Sequence, residues 1–186
     1  MKTCLLLTTV LCCTHFGVTS QVFNKTDSTY YTDESFTIKY AGEAVINYEN
    51  GIIKSKQHFI NGKAHGEFIS YYENGHVFQK KNYVNGLLQG ESIIYNQEGK
   101  IEVKENIING ENHGESIIYY ENGTIRQKLF YVNGVPEGES IFYNLKGKMF
   151  RKETYKNGEL NGLTVTYNNR GKAKETVNYV NGVLQN

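Results

Sequence analysis

Beyond residue 13 this 186-residue chain has no cysteine, because Cys4, Cys12 and Cys13 all lie near its start. The rest has no disulfide to close and must hold together by packing and hydrogen bonds. Charge of one sign is lacking too. Twenty Lys and Arg stand against 19 Asp and Glu, a formal net charge of +1, with both signs mixed along the chain. That balance offers no basic stripe for a phosphate backbone, so no nucleic-acid partner is expected. After residue 20 no run is long and apolar enough to cross a bilayer as a helix.

Catalytic signatures are equally scarce. There is no His-Glu-x-x-His, Gly-x-Ser-x-Gly or phosphate-loop sequence. His65 and His113 occupy equivalent turn positions and, at the spacing of strands, stand about 19 Å apart, too far to share a metal. Acidic pairs such as Glu137 and Glu139 exist, but Glu139 belongs to a glutamate column that recurs from unit to unit, whereas a catalytic pair occurs once. The expectation is a protein that is not an enzyme, with no catalytic residue, metal site or cofactor.

What is present begins with Met1-Lys2, a mostly apolar run from Cys4 to Cys13, and the small residues Val18-Thr19-Ser20. This is the layout of a secretory signal peptide over residues 1–20, cleaved before Gln21 and delivering the chain to the periplasm or the exterior. Residues 21–41 follow as a separate segment. Its stretch Ser35-Phe36-Thr37-Ile38-Lys39-Tyr40 alternates apolar and polar, which predicts a strand covering the first edge of whatever follows.

Residues 42–186 are six copies of a 24-residue unit, opened by Gly42, Gly66, Gly90, Gly114, Gly138 and Gly162. A second glycine column lies nine residues on, through Gly75, Gly99 and Gly123. A third lies twenty residues on, through Gly86, Gly110 and Gly134, each preceded by asparagine. Glycines confined to three columns mark turns, since glycine takes positive φ at little steric cost. The runs between them have strand length and are rich in Ile, Val, Tyr and Phe. The prediction is an all-β fold, an elongated single-layer antiparallel β-meander of six hairpin repeats.

Parity sets the expected faces. Ile117, Tyr119, Ile125 and Tyr131 occupy odd positions of the fourth unit, as their equivalents do elsewhere. A three-residue loop Glu121-Asn122-Gly123 pairs Tyr119 with Ile125 and keeps all four on one face. The lysine column Lys56, Lys80, Lys104, Lys128 and Lys152 then falls on the opposite face, with Lys56 beside Tyr72 and Lys104 beside Tyr120. Those seven residues are the candidate ligand-binding face, suited to an anionic, glycan or peptide partner. A solvated face that keeps a long sheet soluble accounts for the same lysines. A one-layer sheet also leaves apolar surface that a second copy, as a homodimer, would cover.

Tyr-Val-Asn-Gly-Val-Pro-Glu-Gly-Glu (131–139) and Tyr-Val-Asn-Gly-Leu-Leu-Gln-Gly-Glu (83–91) resemble MORN (membrane occupation and recognition nexus) repeats. More narrowly they resemble the bacterial variant that also occurs in YwqK-type antitoxin proteins. The resemblance covers residues 42–185. It implies an antiparallel sheet of successive hairpins that serves as an interaction scaffold for a protein or an envelope component. The narrower likeness implies toxin neutralisation as an alternative, and a glycan-binding surface is a third reading.

Overall fold

The computed structural model describes residues 22–24, 29–31 and 39–185. The expected leader over 1–20 lies outside them, as does most of the strand expected over 35–40. Val22–Asn24 and Thr29–Tyr31 pair as a small antiparallel ribbon. Everything from Gly42–Asn47 to Val183–Gln185 forms one antiparallel sheet of 17 strands in a meander. Its strands pair with near neighbours in sequence. Among the described residues no register joins the first strand to the last, so the sheet is open.

Each unit contains a six- to nine-residue strand, such as Gly114–Tyr119, and an eight-residue strand, such as Ile125–Val132. A tight Asn-Gly turn then leads into a two-residue strand, Val135–Pro136 in the fourth unit. Two kinds of turn join these strands, and the glycine columns explain both. At the Glu121-Asn122-Gly123 loop, Gly123 N donates to Tyr120 O at 2.8 Å and Tyr120 N to Thr124 O at 2.8 Å. This is a three-residue hairpin loop closed by a glycine at φ +81°. At the other end, Asn133 and Gly134 have φ of 50° and 76°, the left-handed pair that a two-residue type I′ turn requires. Gly134 N donates to Asn112 O of the preceding unit at 2.8 Å, and the equivalent bond recurs at every unit boundary. The Asn-Gly turns are therefore also the staples between units.

The expected Tyr119–Ile125 pair forms, but the odd-with-odd register does not continue past it. A β-bulge shifts the pairing between Ile118 and Tyr119, leaving Arg126 as the extra residue. Beyond the bulge Ile117 faces Lys128 and Gly114 faces Tyr131. The same shift recurs in all six units. Paired residues share a face, so the lysine column joins Ile117, Tyr119 and Ile125. Tyr131 crosses to the other side. The expected common face of four apolar columns is thus corrected: the tyrosines near the long loops and those near the Asn-Gly turns lie on opposite faces.

The face bearing Tyr131 is the more closely packed, and we call it the inner face. It holds Phe59, Ile107, Ser92, Ser116, Ser140 and Thr164, all buried, with Ser140 at 0% exposure. The serine or threonine at the centre of the first strand in the last four units is small enough to be roofed by the longer side chains of its neighbours. Thr29, Tyr30 and Tyr40 complete this face at the N-terminal end. Tyr40 N donates to Tyr30 O, Gly62 N to Tyr40 O and Tyr30 N to Gly62 O, at 2.9, 2.6 and 2.7 Å. The Tyr30 and Tyr40 rings meet Phe59 edge-on, with centroids 4.8 and 5.5 Å away. The segment before the repeats stands in for the missing preceding unit.

Candidate functional site

The outer face is built from columns that the register sets side by side. Across its centre runs Val45, Lys56, Ile69, Lys80, Ile93, Lys104, Ile117, Lys128, Ile141, Lys152, Val165, each paired with the next. Aliphatic and cationic side chains alternate at the strand spacing, about 4.8 Å. Flanking it is a glutamate column. Lys104 Nζ lies 2.5 Å from Glu91, Lys128 Nζ lies 3.0 Å from Glu115, and Lys152 pairs with Glu139. The hydrogen bonds that Lys104 and Lys128 donate to Glu91 and Glu115 raise the pKa of the two lysines. These are exposed pairs, screened by solvent and worth little each. They still occupy the ammonium groups that an anionic partner would need. Lys56 and Lys80 carry no such ion pair among the described residues.

The two tyrosines expected beside the lysines are elsewhere, and the bulge is the reason. Lys56 faces Ile69 and Lys104 faces Ile93 and Ile117. Tyr72 and Tyr120 stand at the mouths of the three-residue loops, where their hydroxyls donate to Tyr95 O at 2.7 Å and Tyr143 O at 2.8 Å of the next unit. Tyr72 contacts Phe78 edge-on at 5.0 Å, and burial followed by the charge of Glu102 raises its pKa. The structure therefore brings the five lysines together with isoleucines and glutamates, and assigns Tyr72 and Tyr120 to inter-unit bracing.

Two features were not anticipated. The first is an apolar stripe at the Asn-Gly end of the outer face. Val84 pairs with Leu87 and Val132 with Val135. With Ile60, Ile108 and Phe130 they remain 38–54% exposed. Its sequence signal was the valine or isoleucine immediately before each unit-boundary Asn-Gly, with lysine in one unit. The second is an inner-face polar cluster, with Arg151 paired to Glu153 and Tyr155 donating to Glu153 Oε2 at 2.9 Å. Burial, reinforced by that hydrogen bond, pushes the Tyr155 phenol up to about 12. Among the described residues no group of three or more His, Asp or Glu could hold a metal, and no helix is long and apolar enough to cross a membrane.

A sheet built of stapled 24-residue hairpins, with side chains repeated in columns along both faces, defines an all-β repeat protein. The MORN repeat variant family model matches four stretches, residues 41–61, 64–85, 112–133 and 136–157. The chain belongs to that family. The third and sixth units fall outside the matched stretches, yet form the same hairpins. A search of curated proteins finds no match.

Proposed function

We propose that this MORN-variant protein is an exported, non-catalytic scaffold that holds a protein partner along its outer face. The observation that carries the reading is the stripe Ile60, Val84, Leu87, Ile108, Val132 and Val135, with Phe130 alongside. The row is interspersed with Lys63 and Glu111, the partners of Ile60 and Ile108, and exposed apolar residues set among polar ones suit a protein interaction site. The adjoining lysine and glutamate columns give such a partner a repeating polar register. Membership of a repeat family supports a binding role in general. Export rests on the leader-like first twenty residues.

The test is crosslinking in native envelopes followed by mass spectrometry, comparing wild type with a Val132→Asp/Val135→Asp variant of equal melting temperature. The expected result is a discrete crosslinked protein species that the variant loses. Unchanged crosslinking in the variant overturns the assignment of the face. Export is tested by the mass of the native N-terminus. A chain starting at Gln21 is expected, and an uncleaved cytoplasmic chain refutes it.

A further inference from the structure

The inner face changes character over its last two units. The column that holds Ser55, Gln79, Val103 and Gln127 continues as Arg151 and Glu175. The column that holds Ile46, Ser70, Ile94 and Ile118 continues as Phe142 and Thr166. Phe142 and Arg151 are register partners, as are Arg151 and Thr166. The guanidinium carbon lies 5.7 Å from the Phe142 centroid, and the Phe142 ring lies 6.3 Å from Phe150 at 57°. Phe150 is 39% exposed and the Arg151 side chain 41%. A ring face and a guanidinium are thus presented together to solvent.

The hydrogen bonding beneath them is incomplete. Arg151 Nη2 pairs with Glu153 Oε1. A side-on guanidinium–carboxylate fork would also join Nε to Oε2. Here Tyr155 donates to Oε2, and Arg151 Nε is left buried with no partner. Thr164 Oγ1, on a residue 5% exposed, lacks one too. Continuing the register of Lys152 with Val165 and Arg151 with Thr166 places Thr164 opposite Glu153. Among the described residues these are the two buried side-chain polar atoms without a partner, and both fall in this one corner. Leaving such atoms unmet costs about 1–3 kcal/mol each, so a ligand that draws the half-exposed Arg151 side chain aside and reaches them gains from satisfying them.

We propose that the inner face of the fifth and sixth units is a carbohydrate site, with Phe150 and Phe142 as the stacking surface and Arg151 and Thr164 as the polar contacts. The chemistry favours a neutral pyranose. Its C–H face suits an aromatic ring. Its hydroxyls both donate and accept, as a guanidinium N–H and a threonine hydroxyl require. Glu153 already balances the charge of Arg151, and Glu175 adds an exposed carboxylate next along the row, which disfavours an anion. An aromatic platform with a few convergent polar groups is the usual make-up of small-molecule sites. This site is independent of the partner surface proposed for the outer face.

The full chain, labelled with 15N in its arginine side chains, is titrated with maltohexaose, cellohexaose and chitohexaose while the Nε–H resonances are followed. At least one sugar is expected to shift the Arg151 signal saturably. Phe150→Ala removes an exposed ring and should weaken that binding by about tenfold or more with little change in melting temperature. Lys104→Gln, on the other face, should leave it intact. Arg151→Lys gives a second reading, interpreted at matched circular dichroism because its partner Glu153 is buried. The proposal is overturned if none of the three sugars moves the resonance, or if Phe150→Ala binds as tightly as wild type.

Discussion

Gly62→Ala should undo the N-terminal end of the array, whereas the same change at Gly123 should be a local nuisance. Both glycines have positive φ, +74° and +81°, so alanine meets similar backbone strain at each, about 1 kcal/mol. Around Gly123 a new methyl meets nothing within 4 Å. At Gly62 it collides with Thr29 Cγ2 and with the backbone oxygen of Tyr30. The docked segment must therefore move. Phe59, now 5% exposed, would lose its cover, worth about 1.5–3 kcal/mol for a side chain of that size. The edge-on contacts with Tyr30 and Tyr40 add about 0.5–1.5 kcal/mol each. Gly62→Ala should thus cost roughly 3.5–7 kcal/mol locally, against about 1 for Gly123→Ala. Native-state hydrogen exchange reads the difference. The Tyr30 and Gly62 amides should lose protection in Gly62→Ala while amides of the fourth and fifth units keep theirs. Equal losses in the two variants, or a protected Tyr30 amide in Gly62→Ala, would refute the capping argument.

Deleting residues 114–137, one whole unit, should leave a cooperatively folded sheet, because each unit bonds mainly to its neighbours. Circular dichroism and thermal melting check this, and global unfolding of the deletant would count against the quasi-one-dimensional picture. The phenol of Tyr155, raised to about 12, should be among the last tyrosines to ionise in an alkaline titration followed by ultraviolet absorbance. Because its folded value lies above its unfolded one, its share of stability is intact below pH 10 and lost between about 10 and 12. Tyr155→Phe should delete that late step, and an unchanged titration would contradict the buried Glu153 contact. Asn144→Ala removes the acceptor for the Lys146 and Lys148 amides at 3.0 and 3.1 Å and should destabilise by about 1–2 kcal/mol. Lys146→Ala, in the same loop, should fall within about 0.5 kcal/mol by denaturant titration.

The period, the turns and the three-residue loop could be read from the glycine columns because positive φ leaves a strong compositional mark. The bulge left none. Its extra residue is Lys54, Phe78, Glu102, Arg126, Phe150 or Lys174, depending on the unit. An unpaired position at a bulge constrains the side chain too weakly to be recognised. Missing that one residue turned Lys128 and Tyr131 over, since strand parity carries every later side chain with it. The loop chemistry was visible in hindsight. Units with Tyr48, Tyr72 or Tyr120 close the loop through Asn50, Asn74 or Asn122. Those with Asn96, Asn144 or Asn168 use that asparagine instead. The inner polar cluster was not legible, because Arg151, Glu153 and Tyr155 meet only once the register and the packing of that face are known.

The staples between units have a bearing on how the protein ages. Asparagine followed by glycine is the dipeptide most prone to spontaneous deamidation, in which the glycine nitrogen attacks the asparagine side chain and closes a succinimide ring. This chain carries ten such pairs, six at the unit boundaries, three in the long loops and Asn161-Gly162 at the start of the sixth unit. In the folded array the attacking nitrogens of the boundary and loop pairs are all engaged, and Gly162 pairs with Tyr179 within the sheet. The boundary glycines donate to carbonyls at 2.6–2.9 Å, and Gly51, Gly75 and Gly123 donate at 2.8–3.0 Å. A sequence that looks chemically short-lived becomes durable by folding, and damage should gather where the array frays. The count of aspartate and isoaspartate at these ten sites would then serve as a clock for time spent unfolded.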